Sequence, residues 1–148
     1  MSTTQQSIQI DLPVSAVYNQ WTQFEDFPHF MEGVERVTQL DDKRLHWVAE
    51  IAGTREEWDA EIVDQEPDRR ISWRSIGGTK NDGVVAFQPL GPNSTRVTLD
   101  LDMEPQGLKE KVGEKLGFVS KQVEGDLRRF KEFIESRGVE TGAWRGRI

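Results

Sequence analysis

Cysteine is absent from the chain, which excludes a disulfide framework, a thiolate metal site and a cysteine nucleophile. Histidine occurs twice, as His29 and His46, and neither stands at ligand spacing from a second His or a carboxylate, so no metal site is expected. No apolar run exceeds a few residues, which excludes an integral membrane helix. The opening MSTTQQS has neither a basic region nor an apolar stretch, which predicts no secretory signal and a cytoplasmic address. A basic stripe is missing too. The net charge is −7, and the acidic excess sits in residues 1–106, whereas 107–137 are mildly basic. Nucleic acid is therefore not expected as a partner, because phosphate binding needs clustered Lys and Arg. There is no phosphate-binding glycine loop: Gly77-Gly78-Thr79-Lys80 lacks the strand–loop–helix context such a loop requires, and no cofactor is expected. Internal repeats and low-complexity segments are absent as well.

What is present is enough for one core. Hydrophobic residues make up 35% of 148, with five Trp and seven Phe, too many for a disordered chain. A length of this order fits one domain, expected over residues 1–138, with 139–148 as a loose tail. Composition leaves the oligomeric state open between monomer and dimer.

Two periodicities are segregated along the chain. From Gln5 to Met103 the pattern is mostly period 2, the mark of strands with one buried face; after Pro105 it is helical to about Arg137. Ile8 and Ile10 share a face of a short first strand. Asp11-Leu12-Pro13 then reads as a helix start, with Asp as cap and Pro in the first turn, followed by Val14, Val17, Tyr18 and Trp21. A second helical piece is predicted over Glu25–Met31, ended by Gly33. Six strands follow between turn residues: Val34–Leu40, Leu45–Ile51, Glu56–Asp64, Arg70–Ser75, Asp82–Leu90 and Thr95–Met103. Ala52-Gly53 reads as a hairpin turn and Gly77-Gly78 as a flexible link. Turns this short demand antiparallel neighbours. Leu108, Val112, Leu116, Val119, Val123, Leu127, Phe130 and Ile134 then form one apolar stripe on a long helix, capped by Gly138.

The expected fold class is therefore α+β: a seven-stranded curved antiparallel sheet against a long C-terminal helix, with two short helices between strands 1 and 2. A curled sheet of this size is not filled by one helix, so a cavity is predicted between them.

The phrases Pro13-x-x-x-Val17-Tyr18-x-x-Trp21, Phe24-x-Asp26-Phe27-Pro28-x-Phe30-Met31, Glu57-Trp58-x-Ala60-x-Ile62, Ile71-x-Trp73 and Gly125-Asp126-Leu127-x-x-Phe130-x-x-Phe133-Ile134, in this element order, resemble the START-like helix-grip superfamily. The resemblance is to its polyketide cyclase/dehydrase and lipid-transport branch, and it runs from about Thr4 to Arg137. It implies a deep apolar cavity and, as function, binding or carriage of a small hydrophobic molecule such as a lipid, isoprenoid, quinone or aromatic polyketide. The alternative it implies is a polyketide aromatase/cyclase-like enzyme.

Residue patterns nominate the walls. Trp47, Trp58, Trp73, Phe87 and Leu99 have inward parity on successive strands, as core or as a surface for stacking a flat ligand. Phe27, Phe30 and Met31 form either a plug at the sheet edge or a gate, with Gly33 as hinge. Gly113, Leu116 and Gly117 lie on one side of the long helix, where missing side chains pack closely or leave cavity volume. Inward parity also makes Glu56, with Ser75 and Asn81, candidates for the few polar groups that orient a ligand. Glu57, Asp59, Glu61 and His46 have outward parity. His29 sits among the gate aromatics, but its spacing places no substrate proton within reach, and no catalytic residue is assigned.

Overall fold

The computed structural model describes residues 3–51, 54–104 and 112–148, and side chains for all of these except 3 and 112–118. Strand β1 (Thr3–Ile10) leads to helix α1 (Val14–Trp21) and a 3-10 segment (Phe24–His29). Strands β2 (Val34–Gln39), β3 (Arg44–Ile51), β4 (Thr54–Glu66), β5 (Arg70–Gly78), β6 (Lys80–Gly91) and β7 (Ser94–Glu104) follow, and helix α2 (Val112–Arg137) comes last. The predicted Ala52-Gly53 turn and the start of the long helix at Leu108 lie outside the described residues.

The sheet runs β1-β7-β6-β5-β4-β3-β2, with every neighbour antiparallel. It is a curled half-barrel in an α+β, helix-grip arrangement. The meander places β2 and β7 at opposite edges, and β1 extends the β7 edge. The chain between β1 and β2 must therefore cross the whole concave face, and α1 and the 3-10 segment are that crossing. Shifts in register between Asp59 and Ala60, and between Ile62 and Asp64, bend the 13-residue β4. The second of these reverses the alternation after Val63 and turns Gln65 in.

Three local expectations are corrected. Asp11 does not cap α1: Pro13 is the N-cap residue, with ψ 150°, and the Asp11 N–H instead donates to Glu135 Oε2 at 2.8 Å. Gly77-Gly78 is not a flexible link, because both residues pair with β4, opposite Asp59 and Trp58. Gly78 is required there: its φ is +87°, and a Cβ would lie 2.2 Å from the Glu57 carbonyl oxygen. Residues 139–148 are not loose. The Ile148 N–H donates to the Gln65 carbonyl at 3.1 Å and the reverse bond is 3.0 Å, so the chain end adds to β4. Arg145 Nη2 reaches Asp68 Oδ2 at 2.8 Å with its guanidinium over the Tyr18 ring. Thr141 Oγ1 donates to Asp26, and the Trp144 N–H to Thr22 Oγ1 at 3.1 Å.

The core between sheet and α2 is aromatic at one end. Trp21, Phe27, Phe30 and Phe130 are all at most 2% exposed, and Trp21 meets Phe130 edge-on at 5.0 Å between ring centroids. Phe30 meets Phe130 at 5.1 Å, so α2 is pinned to the crossing segment by rings. Such pairs contribute about 0.5–1.5 kcal/mol each beyond area burial.

Candidate functional site

The other end of the concave face is not filled. An apolar cavity of ≈ 90 Å³ lies between β3–β7, the 3-10 segment and α2. That volume holds several waters.

One wall comes from pleat periodicity. Trp47 and Trp58 are direct cross-strand partners, so their side chains leave the sheet on the same side. Their rings stack at 5.6 Å with planes 9° apart, and Phe27 closes on Trp47 at 5.6 Å. Leu45, Ala60, Ile62, Ile71, Leu99, Leu101 and Met103 continue this face, and Val119 and Val123 oppose it from α2.

A second wall depends on a glycine. Trp73 stands opposite Gly83, where a Cβ would lie 2.8 Å from the Trp73 ring and 2.7 Å from the Asp100 carbonyl oxygen. The missing side chain lets the indole lie across β6, and its Nε1–H donates to Asn81 Oδ1 at 3.0 Å. Past Trp73 the β5–β6 ladder stops, and side chains stitch the gap. The Ser75 N–H donates to Asp82 Oδ1 at 2.9 Å, and the Asn81 N–H to Ser75 Oγ at 3.1 Å.

Polar groups in the described lining are few: Asn81, Gln122 and Asp126. Asp126 is the only ionisable one among them. Burial pushes its carboxyl up to about 7, against the opposing pull of Arg129. Asp126 Oδ1 accepts from Arg129 Nη2 at 2.6 Å and from the Glu32 N–H at 3.2 Å. Arg129 Nε also donates to the Phe30 carbonyl at 2.9 Å, and Gln122 Nε2 to the Glu32 carbonyl at 3.1 Å. Three helix side chains thus hold the Phe30–Glu32 loop against α2.

Of the nominated residues, Phe27, Met31, Trp47, Trp58, Trp73 and Leu99 line the cavity. Phe30 and Phe87 do not; they are packed in the aromatic core, Phe87 against Tyr18 at 5.3 Å. Gly113, Leu116 and Gly117 fall outside the residues whose side chains are described. Glu56, 3% exposed, accepts from Thr79 Oγ1 at 2.6 Å and is not part of the lining. His29 is exposed and stacks on Phe133, away from the cavity. His46 lies on the outer face between Asp59 (2.6 Å) and Glu57 (3.1 Å). Sequence reasoning missed Asp126 and Gln122. The signal for Asp126 was available: it lies three residues after Val123 and four before Phe130, a carboxylate on the apolar stripe.

Among the described residues no helix is long and apolar enough to cross a membrane, and no group of three or more acidic or His side chains could hold a metal.

Residues 10–132 match the family described as polyketide cyclase / dehydrase and lipid transport. An uncharacterized 17.2 kDa protein of Streptomyces lincolnensis is 52% identical over 149 residues, spanning all of this chain and 99% of that one. A crystal structure from Deinococcus radiodurans is similar at 30% identity and TM-score 0.73, covering 94% of this chain and 100% of the other. An aromatase/cyclase from a Streptomyces superposes at TM-score 0.75 with 14% identity, covering 96% and 98%, a likeness of fold alone.

Proposed function

From the premise that the chain belongs to the polyketide cyclase/dehydrase and lipid-transport family, we propose that it binds a small, flat, largely apolar molecule in the cavity and carries it unchanged. The observation that carries this reading is the stacked Trp47–Trp58 wall facing a lining whose only described polar side chains are Asn81, Gln122 and Asp126. Parallel aromatic planes favour a planar ligand laid against them, and an apolar lining favours one that sheds water on entry. Phe27, Met31, Trp73 and Leu99 complete the proposed contact surface. A lipid, isoprenoid, quinone or aromatic polyketide would meet these demands. Native mass spectrometry of freshly purified protein should find a co-purifying molecule, and a polarity-sensitive dye should brighten and quench Trp emission on binding. Dye that stays dim at saturating protein would overturn the reading.

A second reading, a polyketide cyclase-type enzyme, is favoured by one observation. Asp126 lines the cavity with its carboxyl held up to about 7, near the value at which a group serves as acid or base. The carrier reading is preferred because Asp126 is already engaged by Arg129 and the Glu32 N–H. Conversion of a poly-β-ketone surrogate by wild type, abolished in Asp126→Asn, would reverse that preference.

A further inference from the structure

We infer that Asn81 gives the cavity a directional address for a hydrogen-bond acceptor, so that the preferred ligand is a flat apolar molecule bearing a carbonyl-type oxygen. The inference rests on the reading of the cavity as a site for an apolar ligand and adds what that ligand must carry.

The orientation of the Asn81 amide is fixed by its neighbour. An indole N–H can only donate, so the amide atom that meets Trp73 Nε1 at 3.0 Å has to be the oxygen. Nδ2 must then point the other way, toward its cross-strand partner Met103 on β7. There, among the described residues, it meets the Met103 sulfur, at 3.9 Å, a weak acceptor. Gly83 keeps this arrangement in place, because any side chain there would displace the Trp73 ring from Asn81. Two amide N–H groups are thus presented at an apolar surface, sharing one weak sulfur contact among the described residues.

The consequence is an asymmetry between ligands. A molecule that fills the cavity expels water from Nδ2. If it brings no acceptor, the amide is left unsatisfied in an apolar setting; if it brings a carbonyl oxygen, the bond lost to water is replaced. The discrimination expected from one such bond is about tenfold in affinity.

A matched pair tests this: fluorene and 9-fluorenone, alike in shape and differing by a methylene against a carbonyl. Equilibrium dialysis gives the ratio of their dissociation constants for wild type, Asn81→Leu and Asn81→Asp. Asn81→Leu removes the donor. Asn81→Asp removes it too but keeps an acceptor for Trp73 Nε1, so a folded comparison remains if the Leu variant is unstable. The ratio should shift about tenfold away from fluorenone in the variants, and fluorene should bind Asn81→Leu at least as tightly as wild type, because no amide N–H is then left without a partner. The infrared carbonyl stretch of bound fluorenone should sit at lower frequency in wild type than in either variant. Fluorene binding with an unchanged ratio and an unshifted carbonyl band would overturn the inference alone. If wild type binds neither compound, the ligand-binding reading fails and this inference falls with it.

Discussion

At the scale of single residues, Asp126 and His46 share one sign of pH dependence for different physical reasons. Asp126 has its carboxyl raised by burial from 3.8 to about 7. Its folded form therefore keeps a proton that the unfolded chain has released, and this group's contribution to stability falls as pH rises from about 4 to about 7, then levels off. Asp126→Asn leaves no charge to bury. Urea midpoints should favour Asp126→Asn over wild type progressively across that window, by up to a few kcal/mol at about 1.4 kcal/mol per unit. A difference that stays flat with pH would mean an ordinary carboxyl. His46 shifts in the same direction because of pairing and not burial: the hydrogen bond to Asp59 comes first among the causes that raise its pKa, followed on the raising side by the bond to Glu57. Its stabilising pairing is complete below the unfolded value near 6.5 and is lost as pH rises through the higher folded value. These side chains are 32% and 47% exposed, so screening keeps the effect on stability under about 1 kcal/mol. The ring proton shifts are the better readout: their midpoint should lie above 6.5 and fall in Asp59→Asn.

At the scale of elements, glycine and the chain end decide what packs where. Gly78→Ala has to place a Cβ against the Glu57 carbonyl at a φ of +87°, and the φ alone costs about 1–3 kcal/mol. The expected result is a lowered unfolding midpoint with the β4–β5 end, and so the Trp58 side of the cavity, loosened in amide exchange. Removal of residues 139–148 strips the Arg145–Asp68 pair, the Ile148–Gln65 bridge and the Thr141 and Trp144 contacts to the crossing segment. Truncation after Gly138 should speed amide exchange in α1 and the 3-10 segment more than in β6 or β7. Uniform exchange across the molecule would show that the strap adds only global stability.

At the scale of the whole molecule, core and cavity share one concave face but divide it. Phe30 lies in the packed part, 2% exposed between Phe130 and Phe133, so Phe30→Ala should cost about 3–5 kcal/mol with little effect on dye affinity. Trp58 has Trp47 stacked beside it and lines the cavity, so Trp58→Ala forfeits fewer contacts. Its loss should stay below about 3 kcal/mol while dye affinity changes several-fold. Urea titration and dye binding on the two variants separate these outcomes, and a reversed pattern would exchange the roles of the two residues.

The order of elements, the antiparallel meander and the inward parity of Trp47, Trp58, Trp73 and Leu99 were legible from the sequence, because period 2, short turns and period 3.6 are local properties of the chain. Even the carboxylate on the α2 stripe stood in plain view at Asp126. Other features are set by groups far apart in sequence. Helical spacing could not divide Phe30 from Phe27, three residues apart at the end of the 3-10 segment, since the curl of the sheet and the path of α2 decide which ring meets another ring and which meets open space. The anchoring of 139–148 depends on Asp26, Gln65 and Asp68, which only the folded chain gathers at one place. The direction of the Asn81 amide depends on an indole eight residues away across a gap in the ladder. Local periodicity determined which residues face inward; closure of the sheet around the helix decided which of them touch each other and which face the cavity.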